Sequence, residues 1–175
     1  YKQLKAKATT TERRQLAATG MLRSAAMMQD DVETIAAATD MLAEAKLTPE
    51  LRNEALYFRA KAYLNQQADK KAMNDLQALA KDTRTLYGAE AKYLVALQLY
   101  KAHEYAAAEK EILNFIEQST PHAYWLARSF ILLSDVYVSM DKKLDARQYL
   151  LSLQQNYHAD DDIEQMINER LEKLK

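Results

Sequence analysis

Residues 89–118 read AEAKYLVALQLYKAHEYAAAEKEILNFIEQ, and the spacing of small and apolar residues in this stretch decides the fold. Ala96 is followed after twelve residues by Ala108, and Ile112 and Phe115 come four and seven residues after Ala108. Residues at these spacings share one face of an α-helix, so the pattern predicts two helices joined by a short turn. The small residues at 96 and 108 allow the two helix axes to approach to about 8–10 Å.

The same spacing recurs on both sides of this stretch. The small residues that open the three copies are Ala60, Ala96 and Ser134, so the steps are 36 and 38 residues. The outer copies continue with Ala72, Leu76 and Leu79 and with Ala146, Leu150 and Leu153. One helix pair cannot bury both of its faces, so the pairs must stack on one another. The repeat therefore predicts an all-α solenoid of antiparallel helix pairs.

Helix-start signals divide the 175-residue chain into four pairs and a final helix. Asp30 is an N-cap residue, and a Thr-Pro step at Thr48 and again at Thr120 predicts a cap followed by proline in the first turn. We expect pairs over residues 11–46, 49–81, 86–118 and 121–157 within one solenoid domain. The register of the first pair stays open, because an alignment of Ala26 with Ala38 and an alignment on Ile35 both fit.

The last helix, over residues 160–174, has the pattern of a cap. Its apolar residues share one side, and they are Ile163, Met166, Ile167, Leu171 and Leu174. Such a helix covers the exposed apolar face of the final pair and turns its charged side to water. Three aspartates at its start complement the helix dipole.

Composition excludes several classes of function. The net charge of −1 argues against a nucleic-acid-binding protein, and the absence of cysteine excludes disulfides and thiolate sites. No apolar run approaches the roughly 18 residues of a membrane span. The two glycines cannot form a phosphate-binding loop, and His103-Glu104 lacks a second histidine at the zinc-protease spacing. We therefore expect no enzyme activity, no cofactor and no metal. The chain opens at Tyr1 without a signal-like segment, so we expect it to be a piece of a longer protein.

The sequence resembles the tetratricopeptide repeat (TPR) family in its pairs of small residues, which are Ala60/Ala72, Ala96/Ala108 and Ser134/Ala146. Further matches are Tyr63 and Tyr137, nine residues before the second alanine, where the middle copy has Leu99, and Tyr105 at the start of a second helix. The sequence departs from the family at its tryptophan (Leu56, Lys92, Phe130) and at its terminal proline (Arg84, Thr120, His158). Steps longer than the usual 34 residues are similar to those of bacterial cell-envelope repeat proteins, above all the large multi-repeat proteins of Bacteroides-type bacteria.

The resemblance implies a right-handed α–α superhelix whose first helices line a concave, ligand-binding surface. Carried over by position, the partner-binding candidates are Tyr57, Lys61, Tyr93, Leu97, Tyr100, Lys101, Arg128, Ile131 and Asp135. Tyrosine is an effective anchor, although some of the eleven tyrosines must pack between repeats. Lys61 and Lys101 border the tyrosines, so an extended peptide with an acidic group is the expected ligand.

Two functions agree with this reading. The first is a protein–protein interaction scaffold in bacterial envelope assembly, with a periplasmic or cell-envelope location. The alternative is a regulatory TPR module of a signalling or chaperone protein, with a cytoplasmic location. An enzyme assembled from scattered acids is a third and weaker hypothesis, because no catalytic motif supports it.

Overall fold

We describe the fold from a computed structural model, which describes Tyr1, residues 3–4 and residues 10–175. These residues form helices and turns, with no strand among them, so the prediction of an all-helical protein is confirmed. The helices are α1 (Thr11–Met27), α2 (Asp31–Leu42), α3 (Pro49–Asn65), α4 (Asp69–Leu79), α5 (Leu86–Lys101), α6 (Tyr105–Glu117), α7 (Ala123–Ser139), α8 (Lys143–Asn156) and α9 (Ile163–Lys173).

The chain forms two compact units, Tyr1–Leu79 and Ala80–Lys175. In the first unit, helices α1 to α4 pack consecutively, and α1 also packs on α3. In the second unit, helices α5 to α9 pack consecutively, and α7 also contacts both α5 and α9. The first helices of successive pairs therefore lie side by side within each unit, as a helical repeat requires.

One type of turn joins the two helices of every pair. Its central residue has a positive φ without being glycine: Gln29 (55°), Gln67 (57°), His103 (62°) and Asp141 (59°). The next residue donates its backbone N–H to the carbonyl five positions earlier, in the pairs Asp30–Ala25, Ala68–Tyr63, Glu104–Leu99 and Lys142–Tyr137, at 3.0, 2.8, 2.9 and 2.8 Å. This is the Schellman arrangement that ends many helices and satisfies their last carbonyl groups.

The turns fix the register of the first pair. Ala72, Ala108 and Ala146 each lie five residues after a positive-φ residue, and the residue at that place in the first pair is Thr34. Thr34 is buried, as are the residues at the other three template positions of this pair, Leu22, Ala38 and Met41. Both registers left open by the sequence, with Ala26 opposite Ala38 or with Ile35 in the template, are therefore wrong.

The twelve template residues of the later pairs are all buried. The small positions Ala60, Ala72, Ala96, Ala108, Ser134 and Ala146 are at most 1% exposed. The apolar positions Leu76, Leu79, Ile112, Phe115, Leu150 and Leu153 are at most 7% exposed. Full burial of one large apolar side chain stabilises a fold by roughly 1.5–3 kcal/mol, so these six apolar residues contribute substantially to stability.

Several helix ends differ from the sequence prediction, and one of them is the start of α9, which lies at Ile163 rather than at residue 160. Helix α2 ends at Leu42 rather than near Lys46. Helix α7 begins at Ala123 rather than at Pro121, because the Thr120 hydroxyl accepts a hydrogen bond from the backbone N–H of His122 and donates to the backbone carbonyl of Thr83. Thr120 thus ties the entry to α7 to the loop before α5, and it does not cap a helix that starts with proline.

The last helix packs its apolar side as the sequence predicts. Ile163 and Ile167 of α9 are fully buried, in one cluster with Ala127, Ile131, Leu150 and Leu153 of the preceding pair. Before the helix, Asp161 accepts a hydrogen bond from the backbone N–H of Ile163. Helix α9 contacts α7 as well as α8, so it takes the place of a first helix beside α7.

Candidate partner-binding site

The predicted binding residues lie in both units. Tyr57 and Lys61 belong to α3 in the first unit and are half-buried. The Tyr57 ring meets the edge of Phe58 at 5.5 Å between centroids, and the Lys61 ammonium group lies 5.8 Å from the centroid of the Tyr57 ring. These two residues thus form a small cation–aromatic group on α3.

Three of the predicted residues lie near the end of α5 in the second unit. Leu97 and Tyr100 are half-buried, and Lys101 is exposed. The Tyr100 ring packs against Tyr105 at 5.8 Å, and its hydroxyl accepts a hydrogen bond from Ser139 of α7 at 3.4 Å. This part of α5 therefore offers partly exposed aromatic and apolar surface next to α7.

Three other predicted residues are less accessible than expected. Ile131 is 1% exposed and belongs to the core beneath α9, so its assignment to the binding surface is wrong. Tyr93 is 7% exposed, because its ring packs against Trp125 at 5.5 Å. The carboxylate of Asp135 is bound by Arg170 of α9, through Nε and Nη2 at 2.8 Å each, and is therefore already occupied.

The remaining predicted residue, Arg128, is the centre of a cluster of side chains. We define the Arg128 cluster as Arg128, Tyr93, Tyr124, Trp125 and Asp162. Its members come from α5 (Tyr93), from the first turns of α7 (Tyr124, Trp125, Arg128) and from the residue before α9 (Asp162). The contact between α5 and α7 and the contact between α7 and α9 bring these residues together.

Hydrogen bonds and ring contacts hold Arg128 in place. Its Nη2 donates to the Tyr93 hydroxyl and its Nη1 to the Tyr124 hydroxyl, each at 3.1 Å. The guanidinium carbon lies 5.2 and 5.9 Å from the centroids of the same two rings, within the range of a cation–π contact. Trp125 lies edge-on to Tyr124 at 5.1 Å.

The electrostatic surroundings favour the charged form of Arg128. Burial alone would lower the pKa of the guanidinium, but the hydroxyls of Tyr93 and Tyr124 outweigh that effect and raise its pKa. Burial raises the pKa of Tyr124, and its bond to Arg128 only partly opposes this rise. The Tyr124 phenol thus remains a neutral hydrogen-bond partner of a cation at ordinary pH.

Four residues here were not among the predicted ones: Tyr124, Trp125 and Asp162 of the Arg128 cluster, and Arg170, which binds Asp135. A signal for them exists in the spacing between partners. Tyr93 and Arg128 are 35 residues apart, as are Asp135 and Arg170, which is about one repeat step. Tyr124 and Arg128 have the four-residue spacing of neighbours on a helix. Partners one repeat step apart are expected where the first helices of successive pairs lie side by side.

The described residues hold no group of three histidine, aspartate or glutamate side chains placed to bind a metal ion. Among them, no helix combines the length and the apolar character that crossing a bilayer requires. Comparison of the chain with protein-family models, with curated proteins and with solved structures gave no match.

Proposed function

We propose that this chain is a protein–protein interaction scaffold of the TPR type, which binds a peptide or protein partner on the face formed by its first helices and performs no catalysis of its own. The observation that carries the proposal is the surface of the second unit, where α5, α7 and α9 lie side by side and Tyr100, Tyr124, Trp125 and Arg128 are half-buried. Tyrosine, tryptophan and arginine are the residues that most often dominate binding energy at interfaces.

The repeat supports the same proposal. Within each unit, first helices that contact one another give a continuous surface, and repeat proteins bind extended partners on such surfaces. We propose that the pairs wind into a right-handed superhelix with this surface on its concave side, in keeping with the family that the sequence resembles. The steps of 36 and 38 residues support a role in bacterial envelope assembly, in the periplasm or at the cell envelope.

Site-specific crosslinking tests the proposal. A photoreactive phenylalanine analogue is placed at Leu97 or Tyr100 on α5, and at exposed Lys110 on α6 as the matched control. We expect a discrete crosslinked partner from the α5 positions in the source cell, and none from Lys110. The partner, once purified, should bind at least about fivefold more weakly to Trp125→Ala, because a central aromatic anchor contributes more than about 1 kcal/mol. Crosslinks that arise only from Lys110 would refute the proposed face.

A further inference from the structure

Arg128 differs from the other arginines whose ion pairs the structure describes. Each of the others holds a carboxylate with two nitrogen atoms: Arg23 with Glu54, Arg59 with Asp75, Arg84 with Asp82 and Arg170 with Asp135. Arg128 has a single carboxylate contact, from Nη1 to Oδ2 of Asp162, at 3.4 Å. The planar guanidinium suits two-point binding of a carboxylate, and Arg128 makes no such pair among the described residues.

The other partners of Arg128 are phenols rather than carboxylates. They are the hydroxyls and rings of Tyr93 and Tyr124, and the buried Nε atom has no acceptor among the described residues. The guanidinium group is fixed in position by these contacts, and a fixed cation loses little conformational freedom when it binds an anion. Its side chain is 24% exposed, so a partner can reach it where Asp162 now lies.

Asp162 is held by its 3.4 Å contact with Arg128 and by an interaction with the hydroxyl of the neighbouring Tyr124. The Asp162 side chain is 52% exposed, and it makes no capping bond to α9. Asp161 performs that task, since it accepts from the backbone N–H of Ile163 and from the hydroxyl of Tyr157. An exposed single-point ion pair contributes little to stability, so Asp162 can leave Arg128 without disturbing the start of the helix.

We propose that Arg128 is the anchor for an acidic side chain of the peptide partner, and that Asp162 occupies this anchor until the partner displaces it. The inference rests on the proposed function and deepens it, because it names the chemistry of the ligand and an internal competitor. The sequence pattern favoured Lys61 and Lys101 as the positive charges that meet an acidic ligand, whereas the proposed anchor is Arg128, another of the predicted residues.

The test uses the whole chain and two synthetic peptides. The probe is N-acetyl-hexaglutamate amide, which carries only side-chain carboxylates, and its counterpart is N-acetyl-hexaglutamine with a free C-terminal carboxylate. The chain has a single tryptophan, Trp125, which packs directly on Tyr93 and Tyr124, so its fluorescence reports binding at the cluster. Calorimetry measures the same affinities independently.

Three substitutions decide the outcome. Asp162→Asn removes the competitor and should tighten binding of the glutamate peptide by about twofold to fivefold. Asp160→Asn makes the same change of charge at an exposed neighbour outside the cluster, and should have a clearly smaller effect. Arg128→Lys keeps the charge but loses the planar group, and should weaken binding at least about fivefold.

The inference is overturned by any of three results. These are equal effects of Asp162→Asn and Asp160→Asn, unchanged binding by Arg128→Lys with circular dichroism that shows the fold intact, or equally tight binding of the glutamine peptide. If Arg128→Lys unfolds the chain, the comparison of Asp162→Asn with Asp160→Asn still tests whether Asp162 competes with the peptide. If a partner crosslinks to α5 but one of these three results is obtained, the acidic anchor is refuted and the proposed function stands. If the peptide affinities are as expected but no partner crosslinks to α5, the proposed function is refuted.

Discussion

At the scale of single residues, the four turns place a side chain where glycine is usually found. A left-handed conformation costs an L-residue about 1–2 kcal/mol, which is why glycine commonly ends helices in this way. This chain has only two glycines, and Gln29, Gln67, His103 and Asp141 take the left-handed place in its turns. The scarcity of glycine therefore left these turns without their usual sequence signal.

Replacement of a turn residue by glycine should stabilise the chain. Gln67 is exposed and has a φ of 57°, so we expect Gln67→Gly to raise the free energy of unfolding by up to about 1 kcal/mol. The matched control is Gln66→Gly, because Gln66 has a φ of −83° and gains nothing from glycine. It should lower the free energy of unfolding by about 0.5–1 kcal/mol. Urea denaturation measures both values, and equal losses in the two variants would contradict the prediction.

The two glycines themselves should respond in opposite directions to alanine. Gly20 lies within α1, and the atoms nearest to an added Cβ belong to the ring of Tyr1, which is 63% exposed and can move aside. Since alanine favours a helix by about 1 kcal/mol over glycine, Gly20→Ala should stabilise the chain by up to that amount.

Gly88 lies in the first turn of α5, where an added Cβ would clash with the backbone carbonyl of Asp82. A clash with backbone requires the loop to shift, so Gly88→Ala should destabilise by about 1–3 kcal/mol. Thermal unfolding of the two variants checks both signs together. A shift of both midpoints in the same direction would mean that one of the two surroundings is misjudged.

At the scale of helices, small and apolar residues at fixed spacing were a sufficient signal in three of the four pairs. The register predicted for the first pair was wrong because Leu22 and Thr34 occupy the places that alanine or serine holds in the other pairs. The spacing template was therefore not recognisable there. Helix ends were also less certain than helix existence. At Thr120 the sequence signal for a cap was genuine, but the hydroxyl binds Thr83 of a loop 37 residues away, and no local pattern reveals such a partner.

Ala108 offers a direct test of the helix-pair template. It is fully buried on α6, where α5 and α6 pack together, so Ala108→Leu should lower the free energy of unfolding by about 1–3 kcal/mol through overpacking. The control is Ala106→Leu on the exposed side of the same helix, which should stay within about 0.5 kcal/mol of the parent. Urea denaturation compares the two. A similar small effect of both substitutions would show that position 108 has spare room and that the template is misassigned there.

At the scale of the whole molecule, the sequence identified the helices that carry the candidate surface better than the side chains that form it. Seven of the nine candidates lie on α5 and α7, the helices that also carry most of the Arg128 cluster. Whether a residue faces a neighbouring first helix or a ligand depends on how closely α7 packs on α5 and α9, and that distance is set by all side chains between them. For this reason Ile131 became core and Asp135 became the partner of Arg170, while Tyr124 and Trp125 were missed.

The last prediction concerns helix α9, which covers the apolar face of α7 and α8 in the described part of the second unit. Deletion of residues 159–175 would expose Ile131, Leu150 and Leu153, and should lead to self-association that sedimentation velocity detects.

The deletion also removes six acids and three bases, so it must be compared with substitutions in α9 that leave the net charge unchanged. Ile163→Ala and Ile167→Ala leave every charge in place, and each should lower the free energy of unfolding by about 2–5 kcal/mol, because both side chains are fully buried. Gln165→Ala on the exposed side of α9 should change it by less than about 0.5 kcal/mol. A truncated chain that stays monomeric, together with isoleucine variants as stable as the Gln165 control, would show that α9 is not needed to cover this face.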